Sequence, residues 1–155
     1  MSDHHRRKRT FNDKPKRTIE VFFDPSKNAS SLLDELAEQQ ADKMPDRPKI
    51  TKSQLRRVFG ELKDIYNRFA SVTSSFNEAK AEEIYQERFA APFKMLRSKV
   101  AYATRSGGQS KMPNEYGKLF QDGIKKVTNA KEFKLYVLHI EAVVGFLYGK
   151  DKIGS

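Results

Sequence analysis

The segment that most constrains this chain is its last long one, Asn129 to Lys150, which reads NAKEFKLYVLHIEAVVGFLYGK. Twelve of the sixteen residues from Phe133 to Tyr148 are apolar or aromatic. Phe133, Tyr136, Val137, Ile140, Val144 and Leu147 recur at the spacing of one face of a 3.6-residue helix. Leu135, Leu138, Ala142 and Phe146 draw a second apolar line on the opposite face, with Lys134, Glu141, Gly145 and His139 between the two. A helix apolar on two faces must be covered on both, so this segment is expected to be the buried centre of the domain. Asn129 as N-cap, with Glu132 three residues on, marks its start, and Gly149 its end. It is too short and too charged to span a membrane.

The rest of the chain reads as helices packed around that one. Thr51 and Gln54 form a capping box, with Ile50 and Leu55 placed as a hydrophobic staple. An apolar stripe through Leu55, Val58, Phe59, Leu62, Ile65, Tyr66 and Phe69 follows. Ser75 with Glu78 offers the next capping box, before a helix through Ile84, Tyr85 and Phe89. Pro92 stands where it ends or kinks that helix, or opens a new one. A further helix runs to Arg105, SGGQSKMPN forms a flexible loop, and a helix from about Glu115 to Thr128 turns Tyr116, Leu119, Phe120, Ile124 and Val127 inward. Ahead of Pro48, Ser30–Lys43 reads as a short acidic helix, and TIEVFF (Thr18–Phe23) as a strand or a docked extended peptide. Met1–Arg17 is polar, basic and aperiodic, so disorder is expected there. The fold class is therefore all-α: a compact bundle of five to six helices over residues 48–155. An N-terminal extension over 1–47 precedes it, a disordered basic tail plus the short acidic helix.

Charge narrows the function classes. The net charge is +10 over 155 residues, and it is uneven. Met1–Arg17 holds seven Lys/Arg against two acids, Thr18–Arg47 three against seven, and Pro48–Ser155 twenty against eleven. The body is basic in its own right, the footprint expected of a polyanion-binding surface. With no cysteine, a disulfide scaffold and a cysteine-ligated metal are excluded. No apolar run resembles a signal peptide, so a soluble cytoplasmic protein is expected.

Nothing in the sequence points to catalysis, a cofactor or a metal site. His139 is the only histidine of the body and reads as a buried, hydrogen-bonded residue, and Glu82, Glu83 and Glu87 as a solvated helix face. Ser106–Lys111, SGGQSK, lacks the spacing and the preceding strand of a phosphate loop. Two basic stripes stand out instead. Lys52, Arg56 and Lys63 share one flank of the helix that begins after Thr51, with no acid among them. The opposite flank, Arg57, Glu61, Asp64 and Arg68, mixes signs as an ordinary solvated surface does. Between Glu87 and Glu115 the chain has no acid and six basic residues: Arg88, Lys94, Arg97, Lys99, Arg105 and Lys111. On a helix Lys94, Arg97 and Arg105 share a flank with Ser98 and Ala101, whose small side chains let a phosphate backbone come close.

ITKSQLRRVFGELKDIY, FKMLRSKVAYATR and NAKEFKLYVLHIEAVVGFLYGK resemble, in order and spacing, the small subunit of the type III-A (Csm) CRISPR effector complex. The resemblance covers roughly residues 50 to 150, and the long N-terminal extension departs from the compact family pattern. It implies an all-helical, non-catalytic structural subunit that stacks as a filament beside the backbone subunits holding guide RNA. Such subunits line the channel where target single-stranded RNA pairs with the guide. The partners implied are guide and target RNA, the backbone and large subunits, and further copies of the chain. Isolated, the chain is expected as a monomer or a swapped dimer. Lys52, Arg56, Lys63, Lys94, Arg97, Lys99 and Arg105, with Lys111 beside them, are the RNA-binding candidates. The alternatives are the small subunit of the related type III-B complex, and a helical protein–protein adaptor with a basic face.

Overall fold

Asn28, Thr51, Asn77 and Asn129 each open a helix by accepting from a backbone amide of its first turn. The computed structural model describes residues 19–105, 107 and 111–155. The expected tail Met1–Arg17, with Arg6–Arg9 and the His4–His5 pair, lies outside them, as do Ser106, Gly108, Gln109 and Ser110 of the expected SGGQSKMPN loop. Asn28 accepts from the Ser30 amide and opens α1 (Ala29–Leu32), and α2 (Glu35–Lys43) follows. The acidic helix expected over Ser30–Lys43 is thus split. The Leu32 carbonyl, which would continue the ladder, is taken at 2.6 Å by Nδ1 of His139.

A two-residue strand β1 (Ile50–Thr51) leads into α3 (Lys52–Thr73). The capping box is formed: Thr51 Oγ1 accepts from the Gln54 amide at 3.1 Å, and Gln54 Oε1 from the Thr51 amide at 3.0 Å. Ile50 and Leu55 are both buried beside it. The next helix, α4 (Glu78–Ile84), is capped by Asn77, not by the expected Ser75. Ser75 lies inside the tight turn that ends α3, closed by the Phe76 amide on the Thr73 carbonyl at 3.0 Å, and cannot serve as a cap.

From α4 the backbone continues through a π-helical turn, Tyr85–Phe89, into α5 (Ala90–Ala103) without a break. A proline inside an α-helix lacks one amide and its ring meets the carbonyl four residues back. That carbonyl belongs to Arg88, within the π-helical turn, which accommodates Pro92 in a continuous helix. Then come α6 (Asn114–Lys126), α7 (Ala130–Gly149) and β2 (Ile153–Gly154), which pairs in parallel with β1, Ile50 opposite Ile153. Among the described residues the protein is an all-α bundle of five helices, α2, α3, the continuous run over 78–103, α6 and α7. The single turn α1 is added to them.

The segment Asn129–Lys150 is the centre of this bundle. Asn129 caps α7 by accepting from the Glu132 amide at 2.8 Å. Phe133, Tyr136, Val137, Ile140 and Leu147 are all buried. Phe133 gathers an aromatic cluster, with Phe93 at 4.7 Å, Tyr85 at 5.3 Å and Phe69 at 5.7 Å between ring centres. The second apolar line is less enclosed than expected: Leu135, Leu138, Ala142 and Phe146 are half-buried, and Tyr148 beyond them is exposed. Close approach on the other side of the bundle is set by glycine. A Cβ on Gly123 of α6 would overlap the Tyr136 ring, and one on Gly117 would lie 2.8 Å from Thr104 Cγ2.

Residues before Pro48 contribute to the same core. Phe23 packs edge-on against Tyr136 at 5.1 Å and lies 5.5 Å from the His139 ring. The Thr18–Phe23 stretch, as far as it is described, is extended and held by a side chain in place of a neighbouring strand. Gln40 Oε1 accepts from the Phe22 amide at 2.8 Å while its Nε2 donates to the Glu20 carbonyl at 2.9 Å. The expected division at 47/48 falls at the cis Arg47–Pro48 peptide, and α2 on one side of it packs along α7 on the other.

Candidate nucleic-acid interface

The site is built on α5, because the longest acid-free stretch of the chain is presented there. Phe93, Leu96 and Val100 are buried and fix which way the helix faces. That leaves Ala91, Met95, Ser98, Ala101, Tyr102 and Arg105 as an exposed ridge. Two depressions flank it. One, of about 340 Å³, lies between α5 and α3, with Val58, Leu96 and Val100 on its floor and Arg57, Lys99 and Tyr102 on its walls. The other, wider and shallower at about 550 Å³, runs toward α6 and is lined by Lys94, Arg97, Ser98, Ala101 and Gln121. The small residues Ser98 and Ala101 lie at the surface, open to an approaching backbone.

The candidate cations take three different positions. Lys52, Arg56 and Lys111 are exposed, and their side chains make no hydrogen bond or ion pair among the described residues. Arg105 is exposed too, and its guanidinium lies 3.6 Å from the centre of the Tyr102 ring while Nη1 donates to the Tyr102 carbonyl at 2.8 Å. Lys63 and Lys99 are half-neutralised by ion pairs, with Glu141 at 3.1 Å and Glu61 at 2.9 Å. Those pairs tie α3 to α7 and to α5, and at exposed positions each contributes little to stability.

Lys94 is committed to the fold. Its Nζ donates to the carbonyls of Ile124 at 2.6 Å and Val127 at 2.5 Å, the last turn of α6 and its C-cap. A helix C-terminus carries unsatisfied carbonyls and partial negative charge, so an ammonium there is doubly suited. Burial holds the Lys94 pKa below the ordinary lysine value, and the Arg97 charge adds to that. Arg97 is half-buried, and its Nε is enclosed with no hydrogen-bond partner among the described residues.

The two expected stripes do not form one continuous surface. Lys63 on the first flank of α3 reaches α7, whereas the α5 groove is reached from the other flank, through Arg57 and Glu61. The ends of the stripes do converge. Gln54 Nε2 donates to the Lys111 carbonyl at 3.1 Å, and the Met112 amide to the Ala103 carbonyl at 2.9 Å. The start of α3, the end of α5 and Lys111 are thereby held at one end of the bundle. Two groove residues, Arg57 and Tyr102, carried no signal in the sequence. Arg57 sits in a mixed-charge flank, and the exposure of Tyr102 depends on how α5 is rotated against α3.

His139 is buried, and its Nδ1 donates to the Leu32 carbonyl, which makes Nε2 the unprotonated nitrogen of a neutral ring. Burial lowers its pKa. Among the described residues, His, Asp and Glu nowhere gather in threes that could hold a metal ion, and no helix is long and apolar enough to cross a membrane.

A family model described as Csm2 Type III-A matches residues 27–150. The match therefore starts in the N-terminal extension and includes α1 and α2 as well as the three segments that carried the resemblance. No curated protein and no solved structure matches the chain.

Proposed function

Because the chain belongs to the Csm2 family, a structural subunit of the type III-A CRISPR complex, we propose that it binds RNA in that complex through phosphate contacts and lines the channel for guide and target strands. Family membership itself implies association with the other Csm subunits. The observation that carries the RNA reading is the acid-free stretch 88–114, in which Arg88, Lys99, Arg105 and Lys111 are exposed and the small residues Ser98 and Ala101 lie at the surface among them. Base pairing between guide and target reads sequence, so the protein need only hold backbones, and Lys and Arg are suited to that.

The proposed direct contacts are Lys52, Arg56, Lys63, Arg97, Lys99, Arg105 and Lys111, in an order that follows from how far each charge is already paired. Lys52, Arg56, Arg105 and Lys111 have charge to offer. Lys63 and Lys99 would exchange a carboxylate for a phosphate, and Lys94 acts by holding α6 in place. The half-buried line Leu135, Leu138, Ala142 and Phe146 supports contact with a neighbouring subunit or a further copy along a filament. The chain itself supplies no chemistry in this reading and works in the cytoplasm.

The test is crosslinking within the assembled complex. Ultraviolet crosslinks from this subunit to guide or target RNA should map to peptides holding the end of α5 and the start of α3. Crosslinks confined to other faces, or their absence when neighbouring subunits crosslink well, would overturn the reading.

A further inference from the structure

Tyr102 of α5 has a cation fixed on its exposed ring. It is 63% exposed, an unusual position for a tyrosine with no hydrogen-bond duty in the fold. The Arg105 guanidinium covers one ring face at 3.6 Å and is locked by its bond to the Tyr102 carbonyl. The ring also forms one wall of the α3–α5 groove, whose floor is apolar and whose opposite wall carries Arg57. An arginine stack stiffens the ring and leaves a flat surface beside an apolar slot of about 340 Å³ with a cation across it. A nucleobase has the matching features: a flat π-face for the ring, apolar edges for the floor, and an attached phosphate for Arg57.

We propose that Tyr102 is a stacking platform for one unpaired base of bound RNA, held by Arg105 on its other face. The inference rests on the phosphate-binding reading and adds to it a preference for unpaired over duplex RNA, since a base in a duplex has no free face to stack. An apolar protein side chain is the rival occupant. It is disfavoured because Arg57 and Lys99 border the slot, and its one acid, Glu61, is already paired with Lys99.

The test compares binding of the full chain to oligouridylate and to an abasic sugar–phosphate oligomer of equal length at one salt concentration. Stacking of a base on an aromatic ring predicts about tenfold tighter binding of the oligouridylate. Tyr102→Ala should abolish that preference, and Tyr102→Phe should keep it. Equal wild-type affinity for the two oligomers, or a preference that survives in Tyr102→Ala, overturns the stacking proposal and leaves phosphate binding standing. Binding to neither oligomer overturns both. A Tyr102→Ala defect seen only in assembly with other subunits, with RNA preference intact, assigns the slot to protein.

Discussion

Replacing Lys94 by methionine separates the two uses this chain makes of its basic residues. The substitution keeps the apolar stem and removes the ammonium. Lost with it are two short hydrogen bonds, to the carbonyls of Ile124 and Val127. Hydrogen bonds to charged groups contribute about 1.5–3 kcal/mol each, and a cation at a helix C-terminus about 0.3–1 kcal/mol more. Against this stands the cost of burying the ammonium, which lowers the Lys94 pKa. Half-burial also lets water replace part of what is lost. The net destabilisation should be about 1.5–3 kcal/mol. For a chain of this size that is a drop of roughly 3–12 °C in melting temperature. Urea denaturation followed by circular dichroism should show a lower midpoint at unchanged slope, the sign of a stability change in an intact fold. An unchanged midpoint would refute the capping argument and return Lys94 to the pool of free surface cations.

Two further substitutions test the core. His139→Gln should flatten the acid limb of the stability curve. The folded histidine has its pKa lowered from 6.5 by burial, so below that pH the unfolded chain binds the extra proton and stability falls. Wild type should therefore lose stability on acidification below about 6.5 faster than the variant does, and parallel curves would contradict this. Gly123→Ala should destabilise by about 1–3 kcal/mol, because the new methyl overlaps the buried Tyr136 ring. An exposed helix glycine would give the opposite sign, so a rise in melting temperature would show that α6 and α7 are further apart than described.

What could be read in the sequence was local. The Asn129 cap of α7, the Thr51–Gln54 box of α3 and the inward residues of α6 follow from spacing within one element, and all are present. What could not be read was long-range. Lys94 looks like a member of a surface stripe until α6 ends beside it, thirty positions along the chain. Lys152 is the same case: its buried Nζ donates to the carbonyls of Ala41, Asp42 and Met44 at the end of α2. Part of the chain's positive charge therefore caps helices, and a charge count alone overstates what is left for a polyanion. The Gln40 clamp on residues 20 and 22 was equally hidden, since a glutamine on an acidic helix carries no sign of its partner. Ser75 misled for a related reason. Its spacing to Glu78 suits a capping box, yet the turn closing α3 had already enclosed it.

The central claim, that exposed cations at one end of the bundle hold RNA phosphates, is tested most directly by the salt dependence of RNA binding. The affinity of the full chain for single-stranded RNA should fall linearly on a logarithmic scale of salt, with a slope of about −0.7 per phosphate contact. Arg105→Gln with Lys111→Gln, and separately Lys52→Gln with Arg56→Gln, should each make that slope shallower by about 1.4. Arg68→Gln, an exposed arginine away from both sets, should leave it unchanged. Equal slopes for the wild type and both double variants, or an equal change from Arg68→Gln, would contradict the account and reduce the interface to undirected net charge.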